Sequence, residues 1–285
     1  MNPAISAFIS LTLFCTMVAL GISLELKALK HWMLHPAVPM RVLLCSCVMV
    51  PLVGLLLLQL PWSLAIPQPE RTAIALMAVC PSAPLALRKT KKSGGDHQLA
   101  ALVQISAAMC AIVSVPVLAL LFKQTFSVGG WNVKPWDIAL QVGQAQVAPL
   151  LLAIGLKTWQ PKLSAWLNQP LDRLANSLLA LLALMILIKA GPILMTGLIS
   201  KAGAMSLMLL LVLASLSMGW TVANQSSSQR ITTSLVTAMR NPGLALLLAN
   251  QHGQGLPGLK AAILIYVVIT LLLSWPLSLA SQHES

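Results

Sequence analysis

The chain has 285 residues, of which 58% are hydrophobic and 8% charged. Soluble domains carry about a quarter charged residues, so disordered, collagen-like and ordinary water-soluble classes are excluded, and a mean hydropathy of +0.85 points to a polytopic membrane protein. The 18 Lys and Arg against 6 Asp and Glu give a net charge of +12; because the basic residues fall in short breaks between apolar runs, they read as topology signals rather than as a nucleic-acid surface.

A helix needs about 20 apolar residues to cross the hydrocarbon. Nine runs approach that length: 4–24, 42–60, 72–87, 99–122, 138–156, 174–188, 205–223, 231–248 and 261–280, the third, sixth and eighth being short or interrupted. With aromatics at 5% and no strand alternation, a barrel is excluded and an all-α bundle expected. The first run has neither a basic leader nor a small-residue cleavage site, so it reads as a retained helix. Placing the N-terminus outside puts eleven basic residues on the cytoplasmic side and six outside, as the positive-inside rule requires. The C-terminus is then cytoplasmic, and a plasma or bacterial inner membrane is expected. Arg240 alone falls within a run.

Cys15, Cys45, Cys47, Cys80 and Cys110 all lie in apolar runs without metal or redox spacing. The five histidines lie in loops or at the end, and no cofactor motif or metal set appears. No Ser-His, paired Asp or His-Glu-x-x-His arrangement occurs within the runs, so an enzyme is not expected.

Two runs are interrupted. The third contains Cys80-Pro81-Ser82-Ala83-Pro84-Leu85-Ala86-Leu87, and the eighth contains Met239-Arg240-Asn241-Pro242-Gly243-Leu244-Ala245. Pro81, Pro84, Pro242 and Gly243 should break both helices. Broken backbone at membrane depth is tolerated only where it is buried in protein or lines a cavity. Matching interruptions in two halves of a chain point to the binding site of a secondary transporter built from inverted repeats.

At these motifs the chain resembles the bile acid:sodium symporters. Cys80-Pro81-Ser82-Ala83 is similar to the start of their first crossing helix, and Met239-Arg240-Asn241-Pro242-Gly243-Leu244-Ala245 to that of the second. The segments Gly21-Ile22-Ser23-Leu24 and His31-Trp32-Met33-Leu34-His35-Pro36 resemble further family features of the nine-helix form. The resemblance implies one membrane domain, 1–285, with a panel (4–24, 138–156, 174–188) and a core (42–60, 72–87, 99–122, 205–223, 231–248, 261–280), substrate binding between them and transport by alternating access.

Carried over position by position, the family's sodium ligands fall on Ala86, Leu87, Ala100, Gln104, Val236 and Arg240, of which only Gln104 keeps a side-chain oxygen. None of the six acids lies within a run. The usual two-sodium mechanism is therefore not expected. Arg240, at the C-terminal end of a half-helix where carbonyls and the dipole favour a cation, is expected to act as a built-in cation with donors left for an anionic substrate. The candidate substrate residues are Arg240, Asn241, Gln104, Gln141, Gln144, Thr237 and Arg88, with Gln141 and Gln144 on one helix face. The expected partners are a small organic anion and membrane lipid. Three alternatives stay open: a sodium-coupled symporter with remodelled ion sites, an arsenite or metalloid efflux permease using Cys80, and a non-transporting sensor or scaffold. Composition leaves the oligomeric state open.

Overall fold

A computed structural model describes residues 3–25, 34, 36–126, 134–197, 202–223, 226–253 and 255–280. Among them there are helices and no strands, apart from a single isolated bridge. In chain order the helices are α1 (Pro3–Ser23), α2 (Ala37–Leu58), α3 (Gln68–Val79), α4 (Pro84–Lys92), α5 (His97–Phe126), α6 (Pro135–Trp159), α7 (Pro161–Gly197), α8 (Ala202–Val222), α9 (Ser227–Ala238), α10 (Pro242–His252), α11 (Leu259–Leu273) and α12 (Trp275–Ala280). Among the described residues, five segments are long and apolar enough to span a bilayer: Ala37–Leu58, His97–Phe122, Pro135–Trp159, Ala202–Val222 and Leu259–Leu277. They overlap the expected runs 42–60, 99–122, 138–156, 205–223 and 261–280. Exposed Val113, Val117, Leu152 and Leu210 give these helices the apolar outer surface that lipid requires.

The interrupted runs are each two helices. α3 ends at Val79 and α4 restarts with Pro84 at its first position; α9 ends at Ala238 and α10 restarts with Pro242. Proline suits the first turn because its missing N–H would have had no intrahelical acceptor there. α4 runs to Lys92, and Gly94 beyond it takes a left-handed φ of 67°, so the basic cluster does end the helix.

Two helices depart from simple periodicity. α2 and α6 each contain a π-helical turn, Cys45–Met49 and Gly143–Val147, where an N–H reaches back five residues: Val50 to Cys45 and Ala148 to Gly143. Pro51 and Pro149 follow these turns, and each lacks the donor for an ordinary bond four residues back. The run expected at 174–188 is also longer than hydropathy suggested. α7 has 37 residues, about 55 Å, and its polar first half carries Asp172, Arg173 and Asn176 as helical residues.

α1 packs chiefly on α6 and α7, whereas α8 packs on α9 and α11 packs on α3. Lys157 of α6 donates to the carbonyls of Ile22 and Leu24, satisfying the C-terminus of α1. α8 meets α9 at Gly219, where Thr233 Oγ1 donates to the Gly219 carbonyl at 2.6 Å. A Cβ at Gly219 would lie 2.5 Å from the Thr233 carbonyl oxygen and 2.6 Å from Ser234 Cα. Both obstacles are backbone and neither can rotate away. Gly219→Ala is thus expected to cost about 1–3 kcal/mol by overpacking, read as a lower unfolding temperature in detergent solution.

Candidate functional site

The two breaks meet. Residues 80–83 and 239–241 run antiparallel, with Ser82 opposite Arg240. The Ala83 N–H donates to the Met239 carbonyl at 2.8 Å, and the Asn241 N–H donates to the Pro81 carbonyl at 2.9 Å. Each break thus satisfies backbone groups freed by the other, which bilayer depth demands. Cys80, Ser82, Arg240 and Asn241 are all at most 2% exposed.

Arg240 reaches from the second break into the first. Nε donates to the Met77 carbonyl at 3.1 Å and Nη2 to the Ala78 carbonyl at 2.5 Å, both in the last turn of α3. Nη1 donates to Ser46 Oγ at 3.0 Å and, weakly, to the Thr237 carbonyl at 3.4 Å. Four of the five guanidinium N–H groups therefore have protein acceptors. Two half-helix C-termini converge on one cation, a favourable charge–dipole arrangement. The sequence placed Arg240 at the end of its own half-helix; two of its four acceptors belong to the other one and a third, Ser46, to α2. Ser46 was not anticipated, because Cys45-Ser46-Cys47 reads as apolar filler. The π turn buries all three residues, and the one available signal was Pro51, four residues beyond Cys47.

Gln104 of α5 braces the first break. Its Oε1 accepts from Ser82 Oγ at 3.0 Å, and its Nε2 donates to the Ser82 carbonyl at 2.9 Å. Asn241 caps α10, its Oδ1 accepting the Leu244 N–H at 3.1 Å, while its Nδ2 has no partner. The buried Thr237 hydroxyl is also unpartnered. Beside the second break, a Cβ on Gly243 would come within 2.7 Å of Leu13 Cδ2 on α1. Gln141 and Gln144 do not share a face: Gln141 is buried without side-chain partners, and Gln144 is exposed. The extra residue in the π turn rotates Gln144 outward and brings Gln146 inside.

A cavity of about 1030 Å3 opens between α1 and α7 on one side and α4 and the start of α5 on the other. Its lining includes Ser23, Pro84, Leu85, Arg88, Asp172 and Asn176. Among the described residues, five basic ones border it (Arg88, Lys89, Lys91, Lys92, Arg173) against two acids (Glu25, Asp172), leaving a net positive wall. Of the seven candidate substrate residues, Arg88 alone lines this cavity. Arg240 instead borders a void of about 10 Å3, room for about one water. Leu85 and Leu271 border both spaces and stand between them.

Among the described residues, no three or more His, Cys, Asp or Glu gather into a metal-binding group. No curated protein matches the chain. The model of the sodium bile acid symporter family matches residues 10–196, more than half of the chain, from α1 through α7 and including the first break. An apolar helical bundle with one broken helix locked into another is thus accompanied by direct sequence membership: the chain belongs to the sodium bile acid symporter family and is an integral membrane protein.

Proposed function

We propose that this protein is a secondary transporter moving a small organic anion by alternating access, without the usual two-sodium coupling. One observation carries the reading: a positively lined cavity ends at Pro84 and Leu85, where α4, the second half of the first crossing helix, begins. The N-terminus of that nine-residue helix favours an anion, and Arg88, one turn along, adds a charged donor. The panel is α1, α6 and α7 and the core is the remaining helices, which makes nine membrane crossings in two inverted repeats within one domain. The N-terminus lies outside and the C-terminus in the cytoplasm of a bacterial inner membrane, so the cavity faces inward.

The sodium positions do not fit sodium. The carbonyls of Met77 and Ala78 already hold Arg240, and Gln104 is paired with Ser82. Ala86, Ala100 and Val236 are fully buried and have no side-chain oxygen. A hard cation that prefers oxygen ligands would find few there. In this reading Arg240 supplies the positive charge and holds the crossing together, and substrate meets Arg88 and the α4 N-terminus. Gln104, Asn241 and Thr237 shape the crossing behind it, and Gln141 lies in the panel. Among the described residues, no cysteine lines the cavity, and Cys80 is fully buried in the crossing.

The test is uptake into proteoliposomes from a panel of small organic acids. Arg88→Ala is expected to raise KM for the transported anion about tenfold, the loss of one charge-assisted contact, with the unfolding temperature unchanged. Absence of flux for every organic anion would favour a scaffold, and unaltered KM in Arg88→Ala would remove that residue from the site.

A further inference from the structure

A second pocket, of about 290 Å3, lies at the other end of the bundle. Its apolar wall includes Leu58 of α2, Leu76 of α3, Val115 and Phe122 of α5, and Leu248 of α10. α5 gives the separation directly. Gln98 borders the transport cavity and Val115 is the first α5 residue to border this pocket, so their nearest lining residues on α5 stand about 26 Å apart along that helix. Among the described residues, none of α1, α6 or α7 lines it. It is lined by helices assigned to the core together with Leu64 and Ile66 of the α2–α3 connection, and does not sit on the path between panel and core.

The wall has a polar end. Arg71 and Thr72, on the first turns of α3, line the same pocket. Arg71 Nη2 donates to the Leu58 carbonyl at 3.4 Å, which lays the guanidinium beside the apolar wall. Thr72 is 5% exposed and its hydroxyl has no partner. A helical threonine normally bonds back to the preceding turn, so a buried, unpaired hydroxyl facing a pocket marks a place for a ligand oxygen. An apolar hollow with a few convergent polar groups is the usual form of a small-molecule site.

We propose that this pocket binds a single-chain carboxylate of medium length, its head group on Arg71 and Thr72 and its alkyl chain between α2, α3, α5 and α10. The charge of Arg71 selects an anion, and a guanidinium beside a hydroxyl suits the two oxygens of a carboxylate. An apolar cavity of about 150 Å3 holds a benzene, so this volume accommodates a chain of about ten carbons. Because the pocket is lined by core helices, its occupant rides with the core and is distinct from the transported anion. This assignment does not depend on the identity of the transport substrate.

The test is equilibrium dialysis of labelled decanoate against the purified protein in detergent, with protein-free micelles as the blank. One saturable site per chain is expected. Ala119→Trp, which fills the pocket from α5, should weaken binding by more than about tenfold. Arg71→Gln should weaken decanoate about tenfold but leave methyl decanoate unchanged, a readout that survives if the tryptophan variant fails to fold. Arg88→Ala should bind decanoate as the unmodified protein does. Unsaturable binding overturns the proposal, as does equal loss of acid and ester in Arg71→Gln. Loss of binding in Arg88→Ala also overturns it by placing decanoate in the transport cavity. Displacement of decanoate by a diacyl phospholipid assigns the pocket to lipid and overturns it as well.

Discussion

Replacing Arg240 with methionine is expected to reduce anion flux about a hundredfold and to lower stability by about 3–5 kcal/mol, the range for breaking a buried charged network from one side. Methionine keeps much of the side chain's length, so the loss reports charge and hydrogen bonds rather than volume. It would leave the Met77 and Ala78 carbonyls and Ser46 Oγ without the donor they now share. Each lost bond to a charged group is worth about 1.5–3 kcal/mol, and buried acceptors left open carry their full desolvation penalty. Arg240→Lys separates charge from shape. An ammonium keeps the positive charge but concentrates its donors on one atom and cannot bridge α3 and α2 as a planar fork does. Its flux and unfolding temperature should fall between those of the arginine and methionine proteins. The measurements are initial flux in proteoliposomes and thermal unfolding in detergent. Arg240→Met with unchanged flux and unfolding temperature would show that the guanidinium is dispensable.

The breaks at 80–83 and 239–241 were readable because proline acts locally: Pro81, Pro84 and Pro242 each remove a donor whatever surrounds them. Their partners were not. Ser82 and Arg240 are 158 positions apart in sequence and pair through an antiparallel bridge that no hydrophobic period encodes. The same long-range pairing sends the guanidinium to Met77 and Ala78, whereas local reasoning could reach only Thr237. Gln144 was misplaced for a different reason. A period of 3.6 residues puts it beside Gln141, but the turn at Gly143–Val147 is wider, and one extra residue is enough to exchange Gln144 for Gln146. Ser46 is hidden by the same kind of turn. The cavity was only half visible. Arg88 stood out as the first basic residue after an apolar stretch, but Asp172 was placed outside the run expected at 174–188 because hydropathy cannot distinguish a polar helical segment from a connection. Family resemblance identified the crossing while leaving open which side chain faces the cavity.

With a monovalent substrate and no coupling ion, flux should follow membrane voltage and ignore sodium. Arg240 is fixed in the core by four hydrogen bonds, so on the proposed mechanism an empty core carries one positive charge that a bound monoanion neutralises. The net charge moved per cycle is that of the anion alone. One elementary charge crossing 100 mV is worth about 2.3 kcal/mol, which sets an outside-to-inside concentration ratio of about fifty for a monoanion when the inside is negative. The direction follows from the sign: an inside-negative potential expels anions, so the uncoupled protein runs as an exporter unless a steep inward gradient opposes it. Proteoliposomes loaded with the anion test this with potassium diffusion potentials set by valinomycin. Efflux should accelerate as the interior becomes more negative, and exchanging sodium for choline on either side should change it less than about twofold, well under the tenfold that 1.4 kcal/mol of coupling would produce. Inward accumulation that requires a sodium gradient would instead mean that sodium binds despite the guanidinium on the Met77 and Ala78 carbonyls, and Arg240 would then be a brace for the crossing and not its cation.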